Sequence, residues 1–199
     1  MNVYDFDGTV YDGESTFDFF LYCLARRPKL LRFLPTVVSH LIRYKRCLIT
    51  REMLFAAAEK YVDAMLAVCP EVRDYPAAFW AARRHKLKPY YAAQRREDDV
   101  FISASFGFML RPACELLGLK EDRLLCSEFD FDTRKVTRLC FRENKPGIFD
   151  GAFPNAVIDA FYTDSENDLP MMRRAKSVYL VKKNNVLPYT VPSAEGEQS

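Results

Sequence analysis

Three apolar segments of the sequence end in small or acidic residues, and this pattern restricts the fold more than any other feature. The segments are Asn2–Phe6 before Asp7-Gly8, Val100–Ser103 before Ala104-Ser105, and Ala160–Thr163 before Asp164-Ser165. Short apolar runs of this kind are typical of buried strands. In an open α/β sheet the carboxyl ends of such strands border one crevice, where ligands bind. The pattern therefore predicts an α/β fold whose parallel-sheet core has a polar site at one edge.

Further elements complete this core. Leu124–Phe129 and Ser177–Val181 are predicted as additional strands. Arg111–Leu117 is followed by the stop signal Gly118, and Pro89–Glu97 begins with proline, so both are predicted as helices that cover the sheet.

The stretch from Ser15 to Lys86 contains no glycine and predicts a helical insertion between the first two strands. Its apolar residues recur at helical spacing over residues 30–42, 52–68 and 75–86, and Pro35 is expected to break or kink the first of these runs. We therefore expect a discontinuous catalytic core (1–14 and 87–187), a helical cap (15–86) and a disordered polar tail (188–199).

Composition limits the class of protein. The 199 residues are 49% hydrophobic and 28% charged, which suits one core plus a modest accessory module, and the net charge of +2 gives no general case for nucleic-acid binding. Six scattered cysteines and two histidines do not predict a zinc site or a disulfide framework. No signal peptide fits before the first strand, and the apolar run Phe17–Ala25 is too short to span a bilayer. We therefore expect a cytoplasmic protein.

The sequence Asp5-Phe6-Asp7-Gly8-Thr9 follows the first strand. Two acids two residues apart on a strand point the same way. Their repulsion is costly unless a cation or a proton relieves it, so the pair indicates metal binding or acid/base chemistry. The alternative is an ordinary strand-end turn with solvated acids.

Three other elements point to the same chemistry. Ser103 and Ala104 end the second strand, where a hydroxyl and free backbone N–H groups bind phosphate oxygens. Lys145 lies in the loop 143–147. Asp164 and Asp168 follow the third strand, where two acids four residues apart can line one pocket, one binding a metal and the other acting through water or orienting a lysine. Taken singly, the serine fits an ordinary turn and the lysine an ordinary surface position.

In this order, with a helical insertion after the first, the four elements resemble the haloacid dehalogenase superfamily over residues 2 to about 181. The resemblance implies that Asp5 is a nucleophile that is transiently phosphorylated, and that Asp7 protonates the leaving alcohol and then deprotonates water. It also implies a magnesium site formed by the carboxylates of Asp5 and Asp164 and the backbone carbonyl of Asp7. Ser103, Ala104 and Lys145 would hold the phosphoryl oxygens. Asp168 would support either the metal or Lys145 without contacting the substrate, and Gly8 and Thr9 would also lie next to the residues that make direct contact.

The second aspartate indicates phosphoryl transfer, because superfamily members that cleave carbon–halogen bonds do not need it. The insertion resembles the cap of the phosphoserine phosphatase-like branch, and Glu14 has the spacing of a substrate-contacting glutamate in that branch; the alternative is an acid at the start of a helix. Gly8, Ala104 and Ser105 depart from the pattern of those enzymes, which argues against phosphoserine. The fourth element is closer to relatives that include bacterial phosphatidylglycerophosphate phosphatases.

The segment from Phe19 to Arg51 has no acidic residue and eight basic ones. These are Arg26, Arg27, Lys29, Arg32, Arg43, Lys45, Arg46 and Arg51. Because apolar residues alternate with them, residues 26–51 predict either a surface that attracts a polyanionic substrate or an anionic membrane, or a solvated face over an apolar stripe.

We expect a Mg²⁺-dependent phosphatase that acts on a small phosphomonoester or on a lipid phosphate head group, with no nucleic-acid partner. Two alternatives remain open. The aspartyl-phosphate is passed to an alcohol, as in a phosphotransferase, or the chain is a module that binds membrane or a partner and has a weakly active core. The sequence does not predict the oligomeric state.

Overall fold

The computed structural model describes residues 1–46, 48 and 51–192. Within these residues, seven strands form one sheet. They are β1 (Asn2–Tyr4), β2 (Val100–Phe106), β3 (Leu124–Asp130), β4 (Lys135–Arg138), β5 (Ile158–Thr163), β6 (Ala175–Lys182) and β7 (Asn185–Tyr189). Their order across the sheet is β4-β3-β2-β1-β5-β6-β7.

The five central strands are parallel, which confirms the predicted α/β fold with a parallel-sheet core; the core is Rossmann-like. The sheet as a whole is mixed, because β4 and β7 add antiparallel edges that the sequence did not predict. β7 contains Pro188, which an edge strand tolerates since only one side of it is paired. It ends two residues past the predicted end of the core at residue 187, and residues 193–199 of the predicted tail lie outside the described residues.

β1 is shorter than predicted, because the chain turns sharply after it. The Asp5 amide still donates to the Tyr162 carbonyl at 2.8 Å, but the Phe6 carbonyl accepts from the amides of Thr9, Val10 and Tyr11 instead of from a neighbouring strand. The two acids of the first element therefore lie just beyond the strand and within this turn.

Eight α-helices lie around the sheet in the described part of the chain. They are α1 (Ser15–Arg26), α2 (Leu34–Lys45), α3 (Arg51–Val68), α4 (Tyr75–Arg83), α5 (Pro89–Gln94), α6 (Gly107–Leu117), α7 (Lys145–Ala152) and α8 (Leu169–Met172). A 3-10 segment, Pro28–Phe33, separates α1 from α2, and Pro35 is the second residue of α2, where a proline fits. The predicted break near Pro35 is confirmed. α6 starts four residues before its predicted start, with Pro112 inside it.

The helices α1–α4 form the insertion between β1 and β2, and the two chain segments that enter and leave it lie side by side. Tyr11 pairs with Leu87, and the Lys88 amide donates to the Val10 carbonyl at 2.8 Å. Trp80 of α4 is fully buried and donates from Nε1 to the Met109 carbonyl of α6 at 2.6 Å. The insertion is thus packed directly against the sheet and its helices, and the start of α1 lies next to the carboxyl end of β1.

Among the helices of the described residues, none combines the length and the apolar character that crossing a bilayer requires.

Candidate active site

A cavity of about 220 Å³ lies at the carboxyl ends of β1, β2 and β5. It is lined by Asp5, Asp7, Glu14, Ser103, Ala104, Arg142, Lys145, Asp164, Ser165, Asn167 and Asp168. The structure therefore brings together eight of the ten residues that the sequence proposed for the site. Gly8 and Thr9 are not among the described residues that line the cavity.

Lys145 is buried between two carboxylates. Its Nζ donates to Asp5 Oδ1 at 2.9 Å and to Asp168 Oδ1 at 2.7 Å, and its side chain is 4% exposed. Asp168 is held in turn by the Thr163 hydroxyl, which donates to Oδ2 at 3.0 Å. Of the two supporting roles considered for Asp168, the observed contact is therefore the one with the lysine.

The charge around Asp5 is only partly balanced. Burial raises the pKa of Asp5; the Lys145 ammonium opposes this rise, and the charges of Asp168 and Asp164 add to it. A cation beyond Lys145 would therefore favour the ionised form of Asp5.

Asp7 has a different environment, because its two carboxylate oxygens face uncharged donors. The Ser15 amide donates to Oδ1 at 2.5 Å, and the Ser105 hydroxyl donates to Oδ2 at 2.7 Å. Burial and then the charge of Glu14 raise the pKa of Asp7 to about 6, while the contacts with Ser15 and Ser105 lower it. Asp7 can thus exist in both protonation states near neutral pH, as a general acid/base requires.

Gly8 provides the space that Asp164 occupies. Gly8 has a φ of +72°, and a Cβ at this position would lie 2.0 Å from Asp164 Oδ2. Asp164 lines the cavity and is exposed as a whole residue, although its carboxylate lies against Gly8. Burial first, and then the charges of Glu14, Asp168 and Asp7, raise its pKa to about 6. Only glycine satisfies both the left-handed backbone and the close approach of this carboxylate.

The residues present fit a magnesium ion. Burial raises the pKa values of Asp5, Asp7 and Asp164, and the charges of neighbouring carboxylates add to each rise, so these acids lie close together in a site that disfavours uncompensated negative charge. No group of three or more His, Cys, Asp or Glu side chains in the described ranges has a metal-binding arrangement. The predicted set needs only two carboxylates and one backbone carbonyl, and Mg²⁺ prefers such oxygen ligands and keeps several waters.

Ser103 has a hydroxyl that remains able to donate. It is 1% exposed, and its Oγ accepts from the Ser105 amide at 3.1 Å, which leaves its hydrogen for a ligand. Glu14 lines the cavity and directly precedes α1, so both interpretations of this residue fit its position. Thr9 is buried, and its hydroxyl has no hydrogen-bond partner among the residues that the structure describes. The Thr9 carbonyl accepts from the Tyr90 hydroxyl at 3.1 Å, so Thr9 supports the turn.

Sequence reasoning missed several residues of the site. The sequence did contain a signal for Ser105, because a residue two positions after Ser103 on the same strand is expected to face the same side. Lys88 is buried and donates from Nζ to the Gly8 carbonyl; burial lowers its pKa, and Asp12 and Asp164 oppose this. Arg142 lines the cavity with a φ of 36°. Lys88 and Arg142 lie in connecting segments, where no periodic pattern marks them.

Solved structures of other proteins share the fold of this chain. Solved structures similar to the chain include a Bordetella pertussis Tohama I protein of unknown function, with 19% identity, a TM-score of 0.67 and coverage of 87% of this chain and 85% of that one. A phosphoserine phosphohydrolase-like protein from Francisella tularensis is 15% identical, with a TM-score of 0.57 and coverage of 89% of this chain and 86% of that one. A HAD family hydrolase from Salmonella enterica serovar Typhi is 14% identical, with a TM-score of 0.50 and coverage of 87% of this chain and 59% of that one. At these identities the likeness shows the fold alone.

The sequence comparisons assign the family. No curated protein matches the chain. The family model described as haloacid dehalogenase-like hydrolase matches residues 3–173, which is most of the sequence. Together with the Rossmann-like sheet and the acidic cavity at its carboxyl edge, this match shows that the chain belongs to the haloacid dehalogenase-like hydrolases.

Proposed function

We propose that this hydrolase is a Mg²⁺-dependent phosphatase that cleaves a phosphomonoester through an aspartyl-phosphate on Asp5. The main support is that one cavity contains two carboxylates in different environments. Asp5 contacts the Lys145 ammonium, whereas the donors to Asp7 in the described part of the chain are uncharged and its pKa is about 6. This arrangement supplies a nucleophile and a separate acid/base.

Each residue has a defined part in the two half-reactions. A carboxylate oxygen of Asp5 forms a bond to phosphorus while the bond to the leaving alcohol breaks, and Asp7 gives its proton to the departing oxygen. Asp7 then takes a proton from water, whose oxygen bonds to phosphorus as the bond to Asp5 breaks. The Ser103 hydroxyl, the Ala104 amide and Lys145 hold the phosphoryl oxygens.

A magnesium ion held by the carboxylates of Asp5 and Asp164 and the carbonyl of Asp7 would neutralise charge on the phosphoryl oxygens. The crowding of raised-pKa carboxylates around this position supports its presence.

The size of the cavity restricts the substrate. About 220 Å³ admits a phosphoryl group and a small alcohol but not a long hydrocarbon chain. The substrate is therefore a small phosphorylated metabolite, or a lipid phosphate whose acyl chains stay outside. The cytoplasmic location stays a prediction.

A screen of phosphorylated metabolites and lipid phosphates, with Mg²⁺ and with a chelator, tests this proposal. We expect turnover with Mg²⁺ only, and none in Asp5→Asn, which removes the nucleophile at nearly constant shape. Turnover by Asp5→Asn would contradict the covalent mechanism. Adding a competing alcohol in the same assay distinguishes a phosphotransferase, which would place phosphate on that alcohol.

We also propose that residues 26–51 contact an anionic membrane surface. Leu31, Ile42 and Leu48 are 59%, 48% and 60% exposed, and Lys29, Arg32 and Arg46 are exposed beside them in sequence. A solvated face does not require exposed leucine and isoleucine, whereas a surface that binds anionic lipid uses both apolar and basic side chains. The side chains of Lys45 and Arg51, which the sequence also placed in this set, lie outside the described side chains.

Cosedimentation with vesicles of phosphatidylglycerol and phosphatidylcholine, or of phosphatidylcholine alone, tests the membrane contact. We expect binding to the anionic vesicles, weakened by added salt and by replacing Lys29, Arg32 and Arg46 with glutamine. Replacing Lys120, Lys135 and Lys182, which are exposed on the core, is the matched control for the change in charge. Equal binding by the two triple variants would contradict the contact.

A further inference from the structure

One hydroxyl outside the cavity lining holds the general acid/base. Ser105 is 7% exposed and donates to Asp7 Oδ2 at 2.7 Å. Unlike Ser103 and Ala104 on the same strand, Ser105 is not among the described residues that line the cavity. Its hydroxyl therefore acts on the carboxyl group of Asp7 and not on the substrate.

The Ser105 hydroxyl has further partners at the start of the cap. Thr16 Oγ1 lies 2.9 Å from Ser105 Oγ, and Ser15 Oγ lies 3.3 Å from it. A serine hydroxyl has one hydrogen, and Ser105 gives it to Asp7, so Thr16 is the donor in the Thr16–Ser105 contact. A chain of hydrogen bonds thus runs from the first turn of α1 through Ser105 to Asp7, and such chains strengthen their members.

The carboxyl group of Asp7 depends on Ser105 for its orientation. The terminal torsion of an aspartate is broad, so its plane is fixed mainly by its hydrogen bonds. The Ser15 amide holds Oδ1 at 2.5 Å, and Ser105 holds Oδ2. Without Ser105, the carboxyl group loses the donor that holds Oδ2 at 2.7 Å and keeps its contacts with the amide and side chain of Ser15, which alone fix its plane less firmly.

We propose that Ser105 is a positioning residue, which fixes the carboxyl plane of Asp7 so that its proton is delivered to the leaving oxygen. This inference rests on the proposed phosphatase function. The transferred proton belongs to Asp7, and Ser105 keeps its own. The step that depends on Ser105 is therefore proton delivery to a poor leaving group, while attack by Asp5 and phosphoryl binding do not depend on it.

Steady-state kinetics of Ser105→Ala with two substrates test the proposal. For an alkyl phosphate, whose leaving group needs a proton, kcat/KM should fall on the order of tenfold, as expected when one hydrogen bond to a charged group is lost. For a nitrophenyl phosphate, which leaves without help, kcat/KM should change by less than about twofold, and KM should stay constant for both. Ser105→Thr, which keeps a hydroxyl, should recover most of the loss.

Ser127→Ala is the matched control. Ser127 is a buried serine of the adjacent strand, and its hydroxyl donates to the Ala104 carbonyl at 2.7 Å and accepts from the Cys140 amide at 3.0 Å. Any loss in this variant should be equal for the two substrates. An equal loss for both substrates in Ser105→Ala would overturn the positioning role, as would a further tenfold loss when Ser105→Ala is added to Asp7→Asn.

A second variant and the activity of the wild type complete the test. If Ser105→Ala does not fold, Thr16→Ala removes the nearer of the two cap hydroxyls that contact Ser105, and we expect the same preference for the nitrophenyl ester with a smaller loss. The same loss on both substrates in Thr16→Ala would overturn the proposal. A wild type that hydrolyses no phosphomonoester refutes the phosphatase function and the positioning role together, whereas an active wild type with an unselective Ser105→Ala refutes the positioning role alone.

Discussion

Replacing Gly8 by alanine should displace the Asp164 carboxylate while leaving its charge in the protein. Gly8 has a φ of +72°, which costs an alanine roughly 1 kcal/mol. The new Cβ would lie 2.0 Å from Asp164 Oδ2 and 2.3 Å from Cγ, so the carboxylate must move, and an off-rotamer side chain costs about 1 kcal/mol more. We therefore expect Gly8→Ala to lower the free energy of unfolding by roughly 2 kcal/mol, or Tm by roughly 4–8 °C for a chain of this size.

The larger effect should be on the metal. Because Asp164 is displaced from its position, Mg²⁺ affinity should fall by about 10- to 100-fold, the loss seen when a group supporting a metal ligand is removed. Isothermal titration with Mg²⁺ measures this without turnover, and the Mg²⁺ dependence of phosphatase activity measures it again.

Gly151→Ala is the matched control. Gly151 lies in α7, and apart from its chain neighbours and the backbone of its own helix, no atom of the described residues lies within 4 Å of the position that its Cβ would take. This variant should keep wild-type affinity and be as stable as wild type or slightly more stable. Wild-type Mg²⁺ affinity in Gly8→Ala would refute the reasoning that links Gly8, Asp164 and the metal.

Three further substitutions test the roles of charged side chains in the fold and in the site. Asp7→Asn should lose about 10²–10⁴ in kcat on an alkyl phosphate and much less on a nitrophenyl phosphate; equal losses would exclude the acid role. Lys145→Met leaves Asp5 and Asp168 without their shared cation and should lower the free energy of unfolding by about 3 kcal/mol at pH 7. The loss should be smaller at pH 4, because burial raises the pKa of Asp5 and its uncharged form needs no cation; urea unfolding at both pH values measures this. Asp99 is fully buried, and burial raises its pKa to about 6 from 3.8, so the fold favours its protonated form and loses stability as pH rises from about 4 through 6. Asp99→Asn should therefore raise the free energy of unfolding by at most about 3 kcal/mol at pH 8, with a gain that disappears toward pH 4 in thermal unfolding scans.

The central sheet was predictable because its strands are buried on both faces. All three residues of β1, the first four of β2 and five of the six of β5 are buried, so each strand needs a nearly continuous apolar run. β4 has no such run, since only Val136 of its four residues is buried. The pairing of an edge strand depends on the partner that the fold provides, which a local pattern does not contain.

Only the site residues that belong to sequence motifs could be predicted from the sequence. Asp5, Ser103 and Asp164 follow apolar runs, so the topology that brings the strands together also brings these side chains together. Lys88 contacts the Gly8 carbonyl only because the segment leaving the insertion pairs with the turn that enters it. That contact joins residues 80 positions apart and depends on how a long helical insertion closes, so no spacing in the sequence predicts it.

The different roles of Asp5 and Asp7 follow from what each carboxylate contacts. Their spacing is the same in any pair of acids two residues apart and assigns no role to either. Asp5 shares an ammonium with Asp168, and a bound divalent cation would add to this, so both favour the ionised form that a nucleophile needs. Asp7 receives hydrogen bonds from an amide and a hydroxyl, and burial and Glu14 bring its pKa to about 6, where it can give and take a proton. Because the two environments differ in charge, exchanging the residues' roles would require moving Lys145, and not merely the acids.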